Sequence, residues 1–142
     1  MDTADRAILS ALAKNARTPL KELAREAYLS SPATSARLER LEKVGVIQGY
    51  HAQLNHQALG YPILAFVNLA VQPERQPEFR RFAEQCPNIL ECHHVTGNYS
   101  QILKVAFQST KDLESFVGHV QTYGTTQTQV VFSTVIEPRE IV

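Results

Sequence analysis

Residues 29–47 constrain this chain most, because they combine a strong helix start with a one-sided apolar pattern. Residues 30–32 read Ser-Ser-Pro, and hydroxyl residues followed directly by proline are typical of a helix N-terminus. At about 100° per residue, Thr34, Leu38 and Leu41 fall on one side and predict the buried side of that helix. The opposite side is therefore free to contact something outside its own domain.

The free side of this helix has the composition of a surface that enters a DNA groove. Small and hydroxyl residues occupy its first turns, and Arg37 and Arg40 follow. Arginine forks match both phosphate oxygens and guanine edges, as in a major-groove recognition helix. The alternatives are a solvated charged side, a mere capping role for Ser31, and an ion pair of Arg37 with an acid such as Glu22. The predicted DNA-binding residues are Arg17, Lys21, Ser31, Ser35, Arg37 and Arg40.

Two shorter helices are predicted before this segment. The first is capped by Asp2 or Thr3 and runs out near Asn15. The second starts where Thr18, as a hydroxyl cap, precedes a proline. Three such helices joined by short turns fit a helix-turn-helix unit, which we place in residues 1–48.

The charge distribution points to the same part of the chain. The sequence holds 14 basic and 14 acidic residues, but residues 1–50 carry eight Lys and Arg against six Asp and Glu. The net charge of +2 in this half is small and has the sign that nucleic acid requires. Arg17 and Lys21, at the start of the second helix, are expected to hold phosphates, with plain solvated surface as the alternative.

Several features indicate the compartment. Cys86 and Cys92 are the only two cysteines and do not suggest a secreted disulfide framework. The first residues are acidic and lack the basic and apolar regions of a secretion signal. No apolar run approaches the ~20 residues that span a bilayer. We expect a cytoplasmic protein.

The spacing of apolar residues changes in the second half of the chain. Residues 49–60 are interpreted as a hinge strand and linker, and residues 61–142 as a second domain. Its predicted elements are strand 63–71, helix 74–85, strands 89–96 and 101–107 around a tight Gly97-Asn98 turn, helix 110–122 and strand 127–136. This βαββαβ order is that of a ferredoxin-like sandwich. The predicted class is therefore α+β, with a three-helix helix-turn-helix domain joined by the hinge strand to that sandwich.

One face of the predicted sheet lacks a cover within the chain. Both helices of such a sandwich lie on the same face, yet the first strand has apolar residues on both sides, for example Phe66 and Val67. The last strand repeats this pattern with Phe132 on one side and Val131 on the other. An apolar face without helices needs a cover, and the nearest is a second copy. We predict a homodimer through the sheet faces, which would also bring two recognition helices to one DNA site.

Residues 92–94 read Cys-His-His and raise the possibility of a metal site. Alternation along a strand puts Cys92 and His94 on one face, and soft N and S ligands suit zinc or copper. Two ligands do not make a site, and no metal or cofactor is predicted. His93 or His94 would be the acid or base of an enzyme, but no converging nucleophile, base and acid are visible, so no enzyme is predicted.

Short motifs occur in a specific order over nearly the whole chain. They are Asp2-x-x-Asp5-x-x-Ile8-Leu9, Asn15-Ala16-Arg17, Glu22-Leu23-Ala24, Leu29-Ser30, Arg37-Leu38-x-Arg40-Leu41-Glu42, Gly45-Val46-Ile47, Gly49-Tyr50, Val95-Thr96-Gly97-Asn98-Tyr99 and Ile102-Leu103-Lys104-Val105. Each is weak alone, but together they resemble the Lrp/AsnC family of feast/famine transcription regulators. The resemblance implies a DNA-binding regulator whose dimers assemble into octamers or similar rings.

The resemblance also implies a small effector, commonly an amino acid, bound between dimers near the Gly97 turn. The implied effector-binding residues are Gly97, Asn98, Tyr99, Ser100, Gln101 and Thr128. The alternative for the turn is an ordinary hairpin connection, for which Gly-Asn is favourable. The chain departs from the family pattern at Thr34, where many members have an apolar residue, at Ser100, where an aspartate is usual, and at Val130, where a threonine is common.

Two other functional hypotheses remain open at this stage. Some relatives of this scaffold are haem-precursor decarboxylases, so an enzyme is one alternative. The other is a ligand-binding assembly module with weak DNA binding. The leading hypothesis is a sequence-specific DNA-binding regulator with double-stranded DNA, a second copy and a small effector as its partners.

Overall fold

The computed structural model describes all residues, 1–142. The chain separates into two compact units. The N-terminal unit comprises residues 1–54 together with 136–142, and the C-terminal unit comprises residues 55–135.

The N-terminal unit contains three helices, α1 (Thr3–Lys14), α2 (Leu20–Glu26) and α3 (Ser31–Lys43). They pack around a small core of Ile8, Leu23 and Ala27. The predicted three-helix arrangement is therefore confirmed.

Capping residues define where these helices begin and end. Asp2 caps α1 in a reciprocal capping box with Asp5. Ser30 caps α3, since its hydroxyl accepts the Ala33 N–H. The predicted Thr18 cap of α2 is wrong: Pro19 occupies the N-cap position, and the Thr18 hydroxyl instead donates to the Asn15 carbonyl at 2.6 Å.

Residues 49–60 do not contain the predicted hinge strand. Residues 49–55 form no regular element, and residues 56–60 form a turn closed by the Tyr61 N–H and the His56 carbonyl. A strand needs a neighbouring strand for its backbone hydrogen bonds, and residues 49–60 pair with none of the four strands of the sheet. The Tyr50 hydroxyl instead donates to Glu42 near the end of α3 at 2.7 Å, and burial with this bond raises the pKa of Tyr50 to about 12.

The C-terminal unit has the predicted βαββαβ order. Its elements are β1 (Ile63–Val71), α4 (Gln76–Gln85), β2 (Ile89–His94), β3 (Gln101–Phe107), α5 (Thr110–Val120) and β4 (Gly124–Val130). The strands form one antiparallel sheet in the order β2-β3-β1-β4. This order confirms the predicted α+β sandwich.

The core of the C-terminal unit lies between one sheet face and both helices. Val67 of β1 and Leu103 of β3 are fully buried there, against Phe79 of α4 and Phe116 of α5. Strand alternation directs the neighbouring residues to the opposite, helix-free face. The central residues of this face are Leu64, Phe66, Asn68, Ile102, Lys104 and Ala106.

The last strand lies earlier in the chain than the predicted 127–136. β4 pairs with β1 from Gly124, opposite Val71, to Val130, opposite Ala65. Gly124 allows this early start because a Cβ there would lie 1.8 Å from the Ala70 carbonyl oxygen. Pairing ends near the start of β1, so Phe132 is fully exposed and does not form the apolar strand face that we predicted.

Candidate DNA-binding and effector sites

Ion pairs join α3 to the start of α1. The Arg37 Nη1 atom lies 2.6 Å from Asp2 Oδ2 and 2.9 Å from Asp5 Oδ1. The Arg40 Nη2 atom lies 2.7 Å from Asp5 Oδ2. We call these four residues the Asp–Arg cluster. Its centre is Asp5, whose side chain is only 1% exposed, so the cluster anchors the predicted recognition helix to a buried carboxylate.

Electrostatics keep the Asp–Arg cluster charged. The backbone N–H of Asp2 and both arginines hold the pKa of Asp5 well below its usual range, although burial acts in the opposite direction. Hydrogen bonds from Arg37 and from the Asp5 N–H lower the pKa of Asp2 as well. Two carboxylates and two guanidinium groups thus balance one another, which reduces the positive field that the two arginines present outside the unit.

The two arginines differ in how much of the side chain is free. Arg37 is 28% exposed and contacts two carboxylates, whereas Arg40 is 55% exposed and contacts only Asp5. A guanidinium has five N–H donors, so Arg40 retains donors for a second partner while it stays on Asp5. Arg37 braces the unit, but its partners are not Glu22, which instead pairs with Arg25 at 2.8 Å.

The remaining predicted DNA-binding residues lie at the starts of α2 and α3. Arg17 and Lys21 are exposed, and Ser31 and Ser35 are half-buried. Ser31 is the first residue of α3 and not its cap, because Ser30 has that role. The Ser31 hydroxyl therefore does not cap α3.

The inner side of α3 is packed as its spacing predicts. Thr34 is fully buried, and its hydroxyl donates to the Ser30 carbonyl at 2.9 Å, so the polar side chain is satisfied inside the core. After Lys43 the chain turns at Gly45, where φ is +77°. The Gly45 and Val46 N–H groups bond the Glu42 and Leu41 carbonyls, which terminates the helix.

The predicted effector turn is longer than expected. β2 ends at His94 and β3 begins at Gln101, so residues 95–100 connect them in place of the predicted tight Gly97-Asn98 turn. The Val95 N–H bonds the Ser100 carbonyl at 2.9 Å. Gly97 has φ +107°, a conformation that favours glycine, and a Cβ there would meet no atom within 4 Å.

Ser100 is tied to the neighbouring strand. Its hydroxyl donates to the Leu69 carbonyl at 3.3 Å and accepts the Val71 N–H at 3.2 Å. Gln101 is buried, and its Oε1 lies 3.6 Å from the Cys92 sulfur. The Ser100 hydroxyl therefore has one acceptor position left for an effector, and its donor is already used.

Thr128 is not adjacent to the turn within one chain. It lies on β4 opposite Val67, and β1 separates β4 from β3. Gly97, Asn98, Tyr99, Ser100 and Gln101 are thus brought together by the hairpin, whereas Thr128 is not. A groove of about 520 Å³ lies elsewhere in the C-terminal unit, between α4 and α5, and is lined by Phe82, Asn88, Phe116 and His119 among others.

The Cys-His-His segment lies on the edge strand β2. Cys92 is opposite Leu103 and His94 is opposite Gln101, so both are on the same face as expected. Burial raises the pKa of the Cys92 thiol. No three His, Cys, Asp or Glu residues are grouped so that they could hold a metal ion. His93 Nε2 lies 3.3 Å from Glu91 on the opposite face.

Sequence reasoning missed the role of Asp2 and Asp5 and the conformation of Tyr28. Asp2 is predicted from the sequence only as a helix cap, although the three-residue spacing of Asp2 and Asp5 also puts both acids on one side of α1. Tyr28 lies in the turn between α2 and α3, and its φ is +56°. Glycine is the residue that usually marks a positive φ, so the sequence gives no local signal for this conformation at Tyr28.

None of the helices is both long enough and apolar enough to cross a membrane. Residues 1–48 match the winged helix-turn-helix DNA-binding family. Residues 64–141 match the Lrp/AsnC ligand binding domain. The fold and these matches define a DNA-binding transcriptional regulator with a separate ligand-binding domain. The chain belongs to the Lrp/AsnC family, as its motifs predicted.

Known relatives cover nearly the whole chain. An uncharacterized HTH-type transcriptional regulator of Bacillus subtilis, YezC, is 36% identical over 133 residues, which are 94% of each chain. The structure of B. subtilis LrpC is 29% identical with a TM-score of 0.92, over 97% of this chain and 99% of that one. A feast or famine regulatory protein from Mycobacterium tuberculosis, complexed with L-methionine, is 32% identical with a TM-score of 0.88, over 99% and 97% of the two chains.

Proposed function

We propose that this regulator acts as a homodimer whose two α3 helices read a paired DNA site, and that an amino acid bound by the C-terminal unit changes its DNA affinity. The observation that carries the DNA interface is the division of α3 into two sides. Thr34 and Leu41 are buried inside the unit, while Ser31, Ser35 and Arg40 retain exposed surface. This is the division that a recognition helix needs.

The proposed roles of the DNA-contacting residues follow from their exposure. Arg40 contacts a phosphate or a guanine with the donors that Asp5 leaves free, and Ser31 and Ser35 contact DNA at the start of α3. Arg17 and Lys21 hold the phosphate backbone. Arg37 acts mainly through the Asp–Arg cluster and reaches DNA only when Asp2 releases it.

The helix-free face of the sheet supports the proposed dimer. Leu64, Phe66 and Ile102 form an apolar centre on this face. Polar groups lie among these residues and are paired within the chain: Asn68 is opposite Ile102 and donates to Gln129 at 3.3 Å, and Lys104 is opposite Phe66 and 3.7 Å from Glu91. Apolar residues interspersed with paired polar groups are compatible with a protein interface. In this proposal the dimers assemble further to an octamer, as the resemblance to the family implies.

The hairpin from Gly97 to Gln101 is the proposed effector site. The M. tuberculosis relative complexed with L-methionine supports an amino acid as the ligand. Because β1 separates Thr128 from the hairpin, the site needs Thr128 from a neighbouring copy if that residue takes part. Ser100 brings no charge, so the ammonium group of the ligand is not recognised by a carboxylate at this position. The names of the relatives support regulation, and not catalysis, as the role of the chain.

A duplex selected by the wild-type chain from a random-sequence pool tests the DNA interface. We expect Arg40→Ala to weaken binding of that duplex by roughly tenfold and to reduce the dependence of affinity on salt, because one cationic contact is lost. Arg80→Ala is the matched control, since Arg80 lies on α4 and pairs only with Glu84. Equal affinities of the two variants would remove Arg40 from the interface.

The effector proposal has its own test. A thermal-shift screen of the twenty amino acids should raise the Tm of the wild-type chain with at least one ligand, because binding to the folded state stabilises it. Gly97→Val should abolish that shift by distorting a residue with positive φ. A shift that persists in this variant would place the ligand elsewhere, for instance in the groove between α4 and α5.

A further inference from the structure

Tyr28 has a backbone conformation that a bulky side chain rarely adopts. It lies in the turn between α2 and α3 with φ +56°. The Tyr28 N–H bonds the Arg25 carbonyl and the Leu29 N–H bonds the Ala24 carbonyl, which is the Schellman arrangement that ends a helix. The left-handed position of this motif usually holds glycine. The same motif ends α3 in this chain, and there the residue is Gly45.

The Tyr28 side chain contributes nothing that offsets the strain of this position. The Tyr28 side chain is 95% exposed, so burial of its ring contributes no stability. Its polar neighbours, in contrast, are engaged within the unit: Arg25 pairs with Glu22, and Ser30 caps α3. Strained backbone positions are concentrated at functional sites.

We propose that Tyr28 is a DNA-contacting residue of the helix-turn-helix, an inference that rests on the proposed DNA interface of α3. Tyr28 stands three residues before Ser31, the first residue of α3, in the turn that precedes the recognition helix. The N-terminal residues of a recognition helix enter the major groove, so the preceding turn meets the edge of the groove. The hydroxyl donates to a phosphate oxygen there, and the ring covers the adjacent sugar.

This contact is uncharged, which distinguishes it from the arginine contacts. Loss of a cationic contact lowers both the affinity and its salt dependence, because fewer counterions are released on binding. Loss of Tyr28 lowers the affinity and leaves the slope of log K against log salt unchanged. The stability should change in the opposite direction to the affinity, because glycine accepts φ +56° without strain.

The test uses the full chain and the duplex that the wild-type chain selects from a random-sequence pool. Tyr28→Gly, Tyr28→Phe and wild type are compared in anisotropy titrations at several salt concentrations and in thermal unfolding. We expect Tyr28→Gly to raise the Tm and to weaken binding by roughly three- to tenfold with an unchanged salt slope. Tyr28→Phe separates the two parts of the contact: a loss equal to that of Tyr28→Gly assigns it to the hydroxyl, and a smaller loss assigns the remainder to the ring.

Two results would overturn the proposal. One is an affinity of both variants within twofold of wild type, which would make Tyr28 an ordinary exposed turn residue or a contact for another protein. The other is a lower Tm of Tyr28→Gly, which would mean that the side chain supports the fold. Gly45→Ala calibrates the stability measurement, because alanine at φ +77° should lower the Tm. A wild-type chain that selects no duplex would refute the DNA interface itself, which is a different outcome from the loss of Tyr28 alone.

Discussion

Asp5 is buried in the N-terminal unit and accepts hydrogen bonds from Arg37, Arg40 and the Asp2 N–H. Asp2, by contrast, is half exposed and shares Arg37 with Asp5. Phosphate oxygens are acceptors of the same kind as the Asp2 carboxylate, so we propose that DNA competes with Asp2 for Arg37. The two acids therefore have different roles: Asp5 holds α3 in place and Asp2 limits its free charge.

Asp2→Asn should strengthen DNA binding several-fold. The amide keeps the cap of α1, since asparagine is as good an N-cap as aspartate, but it releases Arg37 from one ion pair. Anisotropy titrations against the selected duplex should show the higher affinity together with a steeper salt dependence. Glu39→Gln removes one negative charge from the exposed surface of α3 without freeing an arginine, and serves as the control. A gain of equal size in both variants would assign the effect to net charge alone.

The N-terminal unit should lose stability in acid because of Asp5. Its pKa in the folded chain lies below the ordinary 3.8, so the stabilisation is complete above pH 3.8 and is lost as the pH falls toward the folded pKa. Asp5→Asn should lower stability at neutral pH by roughly 1–3 kcal/mol and flatten the pH dependence below pH 4. Unfolding at pH 2 to 7, followed through amide exchange in α1, measures both. An unchanged pH profile in this variant would contradict the role of Asp5; Glu84→Gln, at an exposed pair, is the control.

At the scale of secondary structure, the position of β4 depends on how closely two backbones approach. Pairing with β1 begins at Gly124 because only a residue without a side chain fits beside the Ala70 carbonyl. The polar residues that follow, mainly threonine and glutamine, then form the strand, and the apolar residues after Val130 remain outside it. The prediction of this strand from hydrophobic alternation was therefore wrong. The close approach of the β4 backbone to β1 decides where the strand starts.

Gly124→Ala should destabilise the C-terminal unit by roughly 1–3 kcal/mol, because the added methyl group overlaps the Ala70 carbonyl. The Tm of this unit in thermal unfolding is the measurement. Gly118→Ala is the matched control: Gly118 lies in α5 with no atom within 4 Å of an added Cβ, so alanine should raise the Tm through its better helix propensity. A Tm that is the same for both variants would show that β4 can shift without cost.

For the whole molecule, the helix-free sheet face and the modest charge of the N-terminal unit both favour association with a second copy of the chain. An uncovered centre of Leu64, Phe66 and Ile102 favours association with a second copy. The arginines of α3, the proposed recognition helix, are partly neutralised by Asp2 and Asp5, so this helix would gain most from a second copy on the same DNA. Dimerisation would therefore contribute to DNA affinity as well as to stability.

Phe66→Lys should convert the proposed dimer to a monomer and weaken DNA binding. The new ammonium group would face Lys104, which is paired with Phe66 across β1 and β3, and it would interrupt the apolar centre. Light scattering should give a mass near 15.9 kDa for the variant and at least twice that for the wild type. Gln85→Lys adds the same charge on α4, on the helix side of the sheet, and should leave the mass unchanged. A monomeric wild type would refute the dimer.

Local patterns in the sequence are sufficient for the helices of the N-terminal unit, the order βαββαβ and the family. These features depend on residues a few positions apart, such as the Ser30 cap, the spacing of Thr34 and Leu41, and the motifs along the chain. Caps and periodicity act within one or two turns of a helix, so the sequence displays them directly.

Only the tertiary structure decided which groups meet across the chain. Arg37 contacts Asp2 over a separation of 35 residues, and Ser100 bonds β1 through Leu69 and Val71. From the sequence alone, an acid such as Glu22 was an equally plausible partner for Arg37. The start of β4 at Gly124 and the positive φ of Tyr28 likewise depend on backbone approach and helix termination. Contacts of this kind depend on packing in three dimensions, which charge and hydrophobic periodicity along a single chain do not specify.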